Sequence, residues 1–250
     1  MSTDSLKKKK QESNKIISNI DGVSIQLNKD TAKFKKEIIK ETLKINETKK
    51  PYTTTSLVAK AVDLKMKGII ASTKTDFRDF LNNIQRYLAK NYSINLTKRD
   101  LEAIASKKDL ILDDLAANTD VLSRDLKKAI LGNLAKGIPT RDLALELAEI
   151  YPAFERNAET ILRTGLGRTF SDINVSKFQE QDYNWYTWAG PNDSLTREIP
   201  CKHFVNKKFP ASQLAELNLI RQTLYNCRHS IIPLTDQEAK NMSEGNIKDY

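Results

Sequence analysis

The chain holds two cysteines and two histidines, and all four fall in two matching units, Cys201-x-His203 and Cys227-x-His229. Every soft metal ligand other than methionine is thereby gathered in one short C-terminal stretch between Trp185 and Pro233. On a β-strand, side chains at i and i+2 share a face, about 6.6 Å apart along the backbone. One strand carrying Cys-x-His presents a thiolate beside an imidazole. Two such strands present a Cys₂His₂ set, a common tetrahedral zinc shell. Four protein ligands leave no position for a reacting water, so the set points to a structural ion rather than a catalytic one. Cys-x-x-Cys is the more usual zinc spacing, and two other readings stand beside zinc: a Cys201–Cys227 disulfide, or two buried thiols packed beside two surface imidazoles.

The composition narrows the setting. Met1 to Lys15 is polar and lysine-rich with no apolar stretch behind it, which predicts no secretory signal peptide. Two cysteines without such a signal suggest a reducing compartment and weigh against the disulfide. No run of about 18 apolar residues occurs, so no transmembrane helix and no membrane partner is expected. Lysine and arginine total 41 against 32 acidic residues, a formal net charge of +9. That balance suits a polyanionic partner such as nucleic acid, or a solvated lysine-rich surface. With 8 glycines and 7 prolines in 250 residues, the chain suits long helices better than an all-β fold.

The spacing of apolar residues predicts an α+β protein, with a mostly helical N-terminal two-thirds and a small C-terminal mixed β region that a zinc ion would staple. Residues 1–27 read as a flexible basic arm, because the like charges of Lys7, Lys8, Lys9 and Lys10 repel one another. These four lysines are the candidate nucleic-acid contacts. The apolar patch from Ile16 to Leu27, interrupted by Gly22, reads as a short strand or a docking peptide. A helical region is expected over 28–121. Its first helix, 30–50, is capped by Asp30 and ended by Lys49-Lys50-Pro51. A second runs over 56–71 with Leu57, Ala61, Leu64 and Ile69 toward the core. Ser72–Thr75 breaks the chain before a third over 76–91. Phe77, Phe80, Leu81, Ile84 and Leu88 there make a clean helical stripe.

Thr97-x-x-Asp100 forms a capping box, and shorter helices follow, broken near Lys107-Lys108 and Asn118-Thr119. A helix over 122–136 closes at Gly137, and Thr140 caps the next. Pro152 opens a long helix to about Gln179. Gly165 and Gly167 inside it cost helical stability, about 1 kcal/mol each against alanine. They predict either a closely packed neighbour or a kink. Beyond Asp182 the residues become β-formers, with a turn at Gly190–Asp193, a short hairpin over Phe204–Phe209, a helix over 214–224 capped by Ser212, and a closing strand over 227–234. Residues 235–250 read as a polar C-terminal tail.

In order along the chain stand Arg163-Thr164, Asn174, Trp188-x-Gly190-Pro191-x-Asp193, Thr196-Arg197-x-x-x-Cys201 and Asn226-Cys227-Arg228-His229. This series, with Lys136–Pro139 leading into it, resembles the phage Mu F-like minor head proteins, also called phage head morphogenesis proteins. The resemblance covers roughly residues 122–234, and Asn226-Cys227-Arg228-His229 is its most specific piece. The chain departs from the pattern at Gly165, where members often carry glutamate, and in the close spacing of Cys201 and His203. The resemblance implies a minor component of a tailed-phage virion, found at the portal or inside the head. Such a protein assists head assembly, DNA packaging or DNA delivery. Implied partners are the portal protein, other virion head proteins and packaged DNA; the implied locations are the virion and, during assembly, the host cytoplasm.

Two other classes compete with a structural virion protein. One is a phage-associated effector or toxin enzyme, and the other a basic nucleic-acid-binding module built on the lysine run. The sequence shows no paired-carboxylate, nucleophile–base or phosphate-loop constellation, and both histidines belong to the metal set, so no enzymatic role is expected. On the structural reading, Asp193, Thr196 and Arg197 are turn and ion-pair residues that hold the β region together.

Overall fold

The computed structural model describes residues 2–47, 51–136 and 140–249. Four long helices account for most of it: α1 (Ser2–Glu47), α2 (Pro51–Tyr92), α3 (Lys98–Lys136) and α4 (Thr140–Gln179). Then come strand β1 (Trp185–Ala189), a helical turn over Glu198–Lys202, strand β2 (Lys208–Pro210), helix α5 (Leu214–Thr223), strand β3 (Ser230–Leu234) and the short helix α6 (Asp236–Ala239). The α+β class expected from the sequence is therefore observed, with helices first and a small sheet last. Among the described residues no helix is long and apolar enough to cross a membrane.

The helices run further than local pattern suggests. The first 27 residues are not a loose arm: the described part of that stretch is the start of α1. Buried Lys9, Ser13, Ile16, Ile20, Ser24, Leu27, Thr31, Phe34 and Ile38 recur at three- and four-residue steps along it. That stripe extends through the lysine run, so packing outweighs the repulsion among the lysines. The apolar patch at Ile16–Leu27 is accordingly helical, neither strand nor docking peptide. Asp30 lies within α1 and caps nothing. The breaks expected near Thr53–Ser56, Ser72–Thr75, Lys107-Lys108, Asn118-Thr119 and Pro152 all lie inside helices. At two of these sites the polar side chains bond back within their own helix, Thr73 to the Ile69 carbonyl at 2.9 Å and Thr119 to that of Ala116 at 2.6 Å. This is the usual accommodation of threonine mid-helix. Leu64, expected in the core, is exposed. The joints expected at Lys49-Lys50 and Gly137–Pro139 lie outside the described residues.

The chain forms two compact units. One comprises Val23–Phe77 and Asp109–Leu162, and all of its described residues are helical. Within it, Phe34 meets Tyr151 edge-on with ring centroids 6.2 Å apart, and Ser72 donates to Asp30 at 3.1 Å. Asp63 accepts from Ser123 and from Lys127, each at 2.9 Å.

The other unit comprises Met1–Gly22, Arg78–Lys108 and Arg163–Tyr250, and carries the sheet. Its order is β2-β1-β3, all antiparallel, with Tyr186 opposite both Phe209 and Pro233 and Ala189 opposite Ser230. Of the hairpin expected over Phe204–Phe209, only Lys208 and Phe209 enter β2, while Phe204 and Val205 follow the helical turn. Aromatic pairs Tyr87–Phe170 and Tyr92–Phe178, with centroids 5.6 and 4.8 Å apart, join α2 to α4. The capping box at Thr97 forms as expected, with the Asp100 carboxylate accepting from the Thr97 amide at 2.7 Å. The start of α1 packs on the sheet region, where Ser13 and Ser230 share a hydrogen bond at 2.5 Å and Lys9 pairs with buried Glu238 at 2.9 Å. Residues 235–249 are not a tail. Thr235 and Glu238 close a reciprocal capping box on α6, Glu244 bridges Lys208, and Ile247 is buried.

Candidate metal centre

Two loops and the approach to β3 bring three of the four predicted ligands together. β1 ends at Ala189, opposite Ser230, so Gly190-Pro191 runs beside Cys227-Arg228-His229. Gly190 is required by that approach: a Cβ there would lie 2.7 Å from the Arg228 carbonyl oxygen and would also strike the His229 ring. Asn226 turns the chain into the site with a left-handed φ of 52°, and its amide donates to Thr164 on α4 at 3.1 Å. Cys201 comes from the helical turn, which is kinked at Ile199 (φ −119°, ψ 132°).

The Cys201 and Cys227 sulfurs lie 3.9 Å apart, and the Cys227 sulfur lies 3.6 Å from His229 Nδ1. All three ligand atoms fall within 4.8 Å of one another, and all three residues are buried. Tetrahedral zinc with bonds near 2.3 Å to sulfur and 2.0 Å to nitrogen sets ligand atoms about 3.5–3.8 Å apart, so two of the separations already suit a metal. His229 Nε2 lies 2.8 Å from the Pro191 carbonyl oxygen and donates to it. That bond leaves Nδ1 with its lone pair turned to the sulfurs, the tautomer a metal ligand needs and the kind of outer-shell contact that fixes one. The donor set Cys201, Cys227 and His229 can hold a metal ion, and its chemistry suits zinc.

His203 is not part of this cluster. It is exposed, and its backbone is helical at φ −66°, ψ −34°. The pairing rule for Cys-x-His assumes a strand. On a helical turn, residues i and i+2 are about 200° apart around the axis, so burying Cys201 turns His203 outward. Cys227-x-His229 lies outside any helix, directly before β3, and there the two side chains do meet, with sulfur and Nδ1 3.6 Å apart. The cysteines are free thiols rather than a disulfide.

The two thiols act as a pair. The hydrogen bond from Cys201, and then the Arg221 charge, hold the Cys227 thiol well below its usual range, against the effect of burial. The same hydrogen bond, with burial, pushes Cys201 up. Arg221, on α5, is almost completely buried beneath the site. Its Nε donates to the His229 carbonyl at 2.8 Å and its Nη2 to that of Cys227 at 3.0 Å, while Nη1 has no acceptor. Burial lowers its pKa.

Arg221 is absent from the residues expected at the site, although the sequence carries a signal for it. Leu214, Leu217, Arg221 and Leu224 recur at helical steps and are all buried, so an arginine stands on an otherwise apolar stripe.

A second cluster braces the rim. Arg228 grips Asp193 with both terminal guanidinium nitrogens, at 2.9 and 2.5 Å. Asp193 also accepts from the Leu195 amide and lies 3.0 Å from the Thr196 hydroxyl, which lies equally close to the Pro191 carbonyl. Arg228 holds the Asp193 carboxyl well below the usual carboxylate range. Arg197 donates to the Tyr225 carbonyl.

The candidate nucleic-acid lysines are not a free row. Lys9 is tied to Glu238 and Lys10 donates to Asn206 at 2.6 Å, whereas Lys7 and Lys8 are exposed. Comparison of the chain with protein-family models, curated proteins and solved structures finds no match in any of the three.

Proposed function

We propose that this chain is a structural minor head protein of a tailed phage, of the Mu F-like kind, whose C-terminal unit is held together by zinc at Cys201, Cys227 and His229. One observation carries the reading. Residues that bear the resemblance, though spread from Thr164 to His229, interlock around a single centre. Thr164 receives the Asn226 amide, Gly190 makes room for His229, Pro191 fixes its tautomer, and Arg228 clasps Asp193. A motif whose members support one another in this way suits a folded attachment module.

In the virion such a module would sit with the portal or the head interior, beside packaged DNA. The net charge of +9 suits that neighbourhood. Mass spectrometry of purified virions from a phage encoding this chain tests the assignment. Detection at low copy alongside the portal protein supports it. Absence from particles that contain the portal, with the chain present in the infected cell, overturns it in favour of an effector.

A further inference from the structure

The centre offers three protein ligands, and Arg221 beneath it is a buried cation without a carboxylate partner among the described residues. Two thiolates neutralise a divalent ion, and a neutral imidazole adds nothing. A metal at this site therefore leaves the Arg221 charge uncompensated. A buried charge without a counter-charge is costly, and its Nη1 is a donor with nothing to donate to. His203, which would have closed the shell, faces solvent.

We infer that the fourth coordination position is open to a small exogenous anion, with the Arg221 guanidinium as its counter-charge. This rests on the metal reading above. The ligand class is a monodentate anion such as hydroxide or azide, small enough for a site whose three ligands are buried. Arg221 is a positioning residue here, acting by charge and by the two carbonyls it holds. A shell closed by four protein side chains would need no such charge.

The test uses the full chain loaded with cobalt(II) in place of zinc. Cobalt bound by cysteine shows a thiolate charge-transfer band, which reports whether the site exists. Its visible d–d bands report a change of fourth ligand. Titration with sodium azide is expected to shift the visible bands saturably in the wild type and equally in His203→Ala. Arg221→Met, of similar volume but neutral, is expected to need more cobalt for loading, to show the charge-transfer band once saturated with cobalt, and in that state to bind azide about ten-fold more weakly. If Arg221→Met does not fold, the wild type and His203→Ala decide the matter alone. A wild type that ignores azide while His203→Ala responds would show that His203 closes the shell in solution. Cobalt bound in both with neither responding would show a shell closed by another group. Either result overturns the open position and leaves the metal intact. Absence of the charge-transfer band defeats the metal reading itself, and the inference with it.

Discussion

Gly167 on α4 lies against the guanidinium of Arg221 on α5, so closely that a Cβ at Gly167 would stand 2.5 Å from Nη2. The contact joins the long helix to the candidate metal centre, because the same nitrogen supports the Cys227 carbonyl at 3.0 Å. Arg221 cannot retreat without dropping that bond. Gly167→Ala is therefore expected to destabilise the chain by about 1–3 kcal/mol, despite alanine's better helix propensity. It should also weaken metal binding. Chemical denaturation of the metal-loaded protein measures the first effect and competition with a chelator the second. An unchanged or raised stability would show that the guanidinium moves aside freely.

Lys9 and Glu238 make a buried ion pair between the start of α1 and α6. Removing one partner strands the other charge, which costs about 3 kcal/mol or more. Glu238→Ala should lower the denaturation midpoint accordingly, and Lys9→Ala should do the same. Lys7→Gln with Lys8→Gln should leave stability within about 0.5 kcal/mol. If the exposed pair touches DNA, that double variant should also bind duplex more weakly, with a salt slope shallower by roughly two. Equal slopes would remove Lys7 and Lys8 from any nucleic-acid contact.

The fold class was readable from the sequence, and so was much of the site. Glycine scarcity and helical spacing announce the helices, and the Thr97 capping box is where the residues place it, while the turn expected over Gly190–Asp193 falls just beyond it, closed by the Thr196 amide on the Asp193 carbonyl. The helix breaks were misread because serine, threonine and lysine clusters mark breaks only when no packed face runs through them. Thr73 and Thr119 satisfy themselves inside their helices. The lysine run was misread for a related reason, since one of its members meets Glu238 from far along the chain. His203 failed because the Cys-x-His rule carries a hidden assumption of extended backbone. Cys201 sits in a helical turn, where the assumption fails, whereas Cys227 and His229 lie outside any helix.

The Asp193–Arg228 clasp sets a pH dependence. The Asp193 carboxyl is more acidic in the folded chain than in the unfolded one, chiefly through the Arg228 hydrogen bond. Its contribution is thus present above the unfolded carboxylate value of about 4 and is lost as pH falls through the lower folded value. Asp193→Asn should melt below the wild type at neutral pH, and the gap should narrow as pH drops below about 4. Melting curves of both proteins over an acid series check this. A gap that stays constant into strong acid would mean that the clasp acts by shape rather than charge.

Metal content measured on protein purified without added metal bears most directly on the centre. The account predicts about one zinc per chain in the wild type and in His203→Ala. It predicts loss of that zinc in Cys201→Ser, Cys227→Ser and His229→Ala. Structural zinc of this kind contributes on the order of 10 kcal/mol to folding, so hydrogen exchange in those three should loosen residues 185–234 while the helical unit Val23–Phe77 with Asp109–Leu162 keeps its protection. A wild type without metal would contradict the account, as would zinc that depends on His203 as strongly as on Cys227.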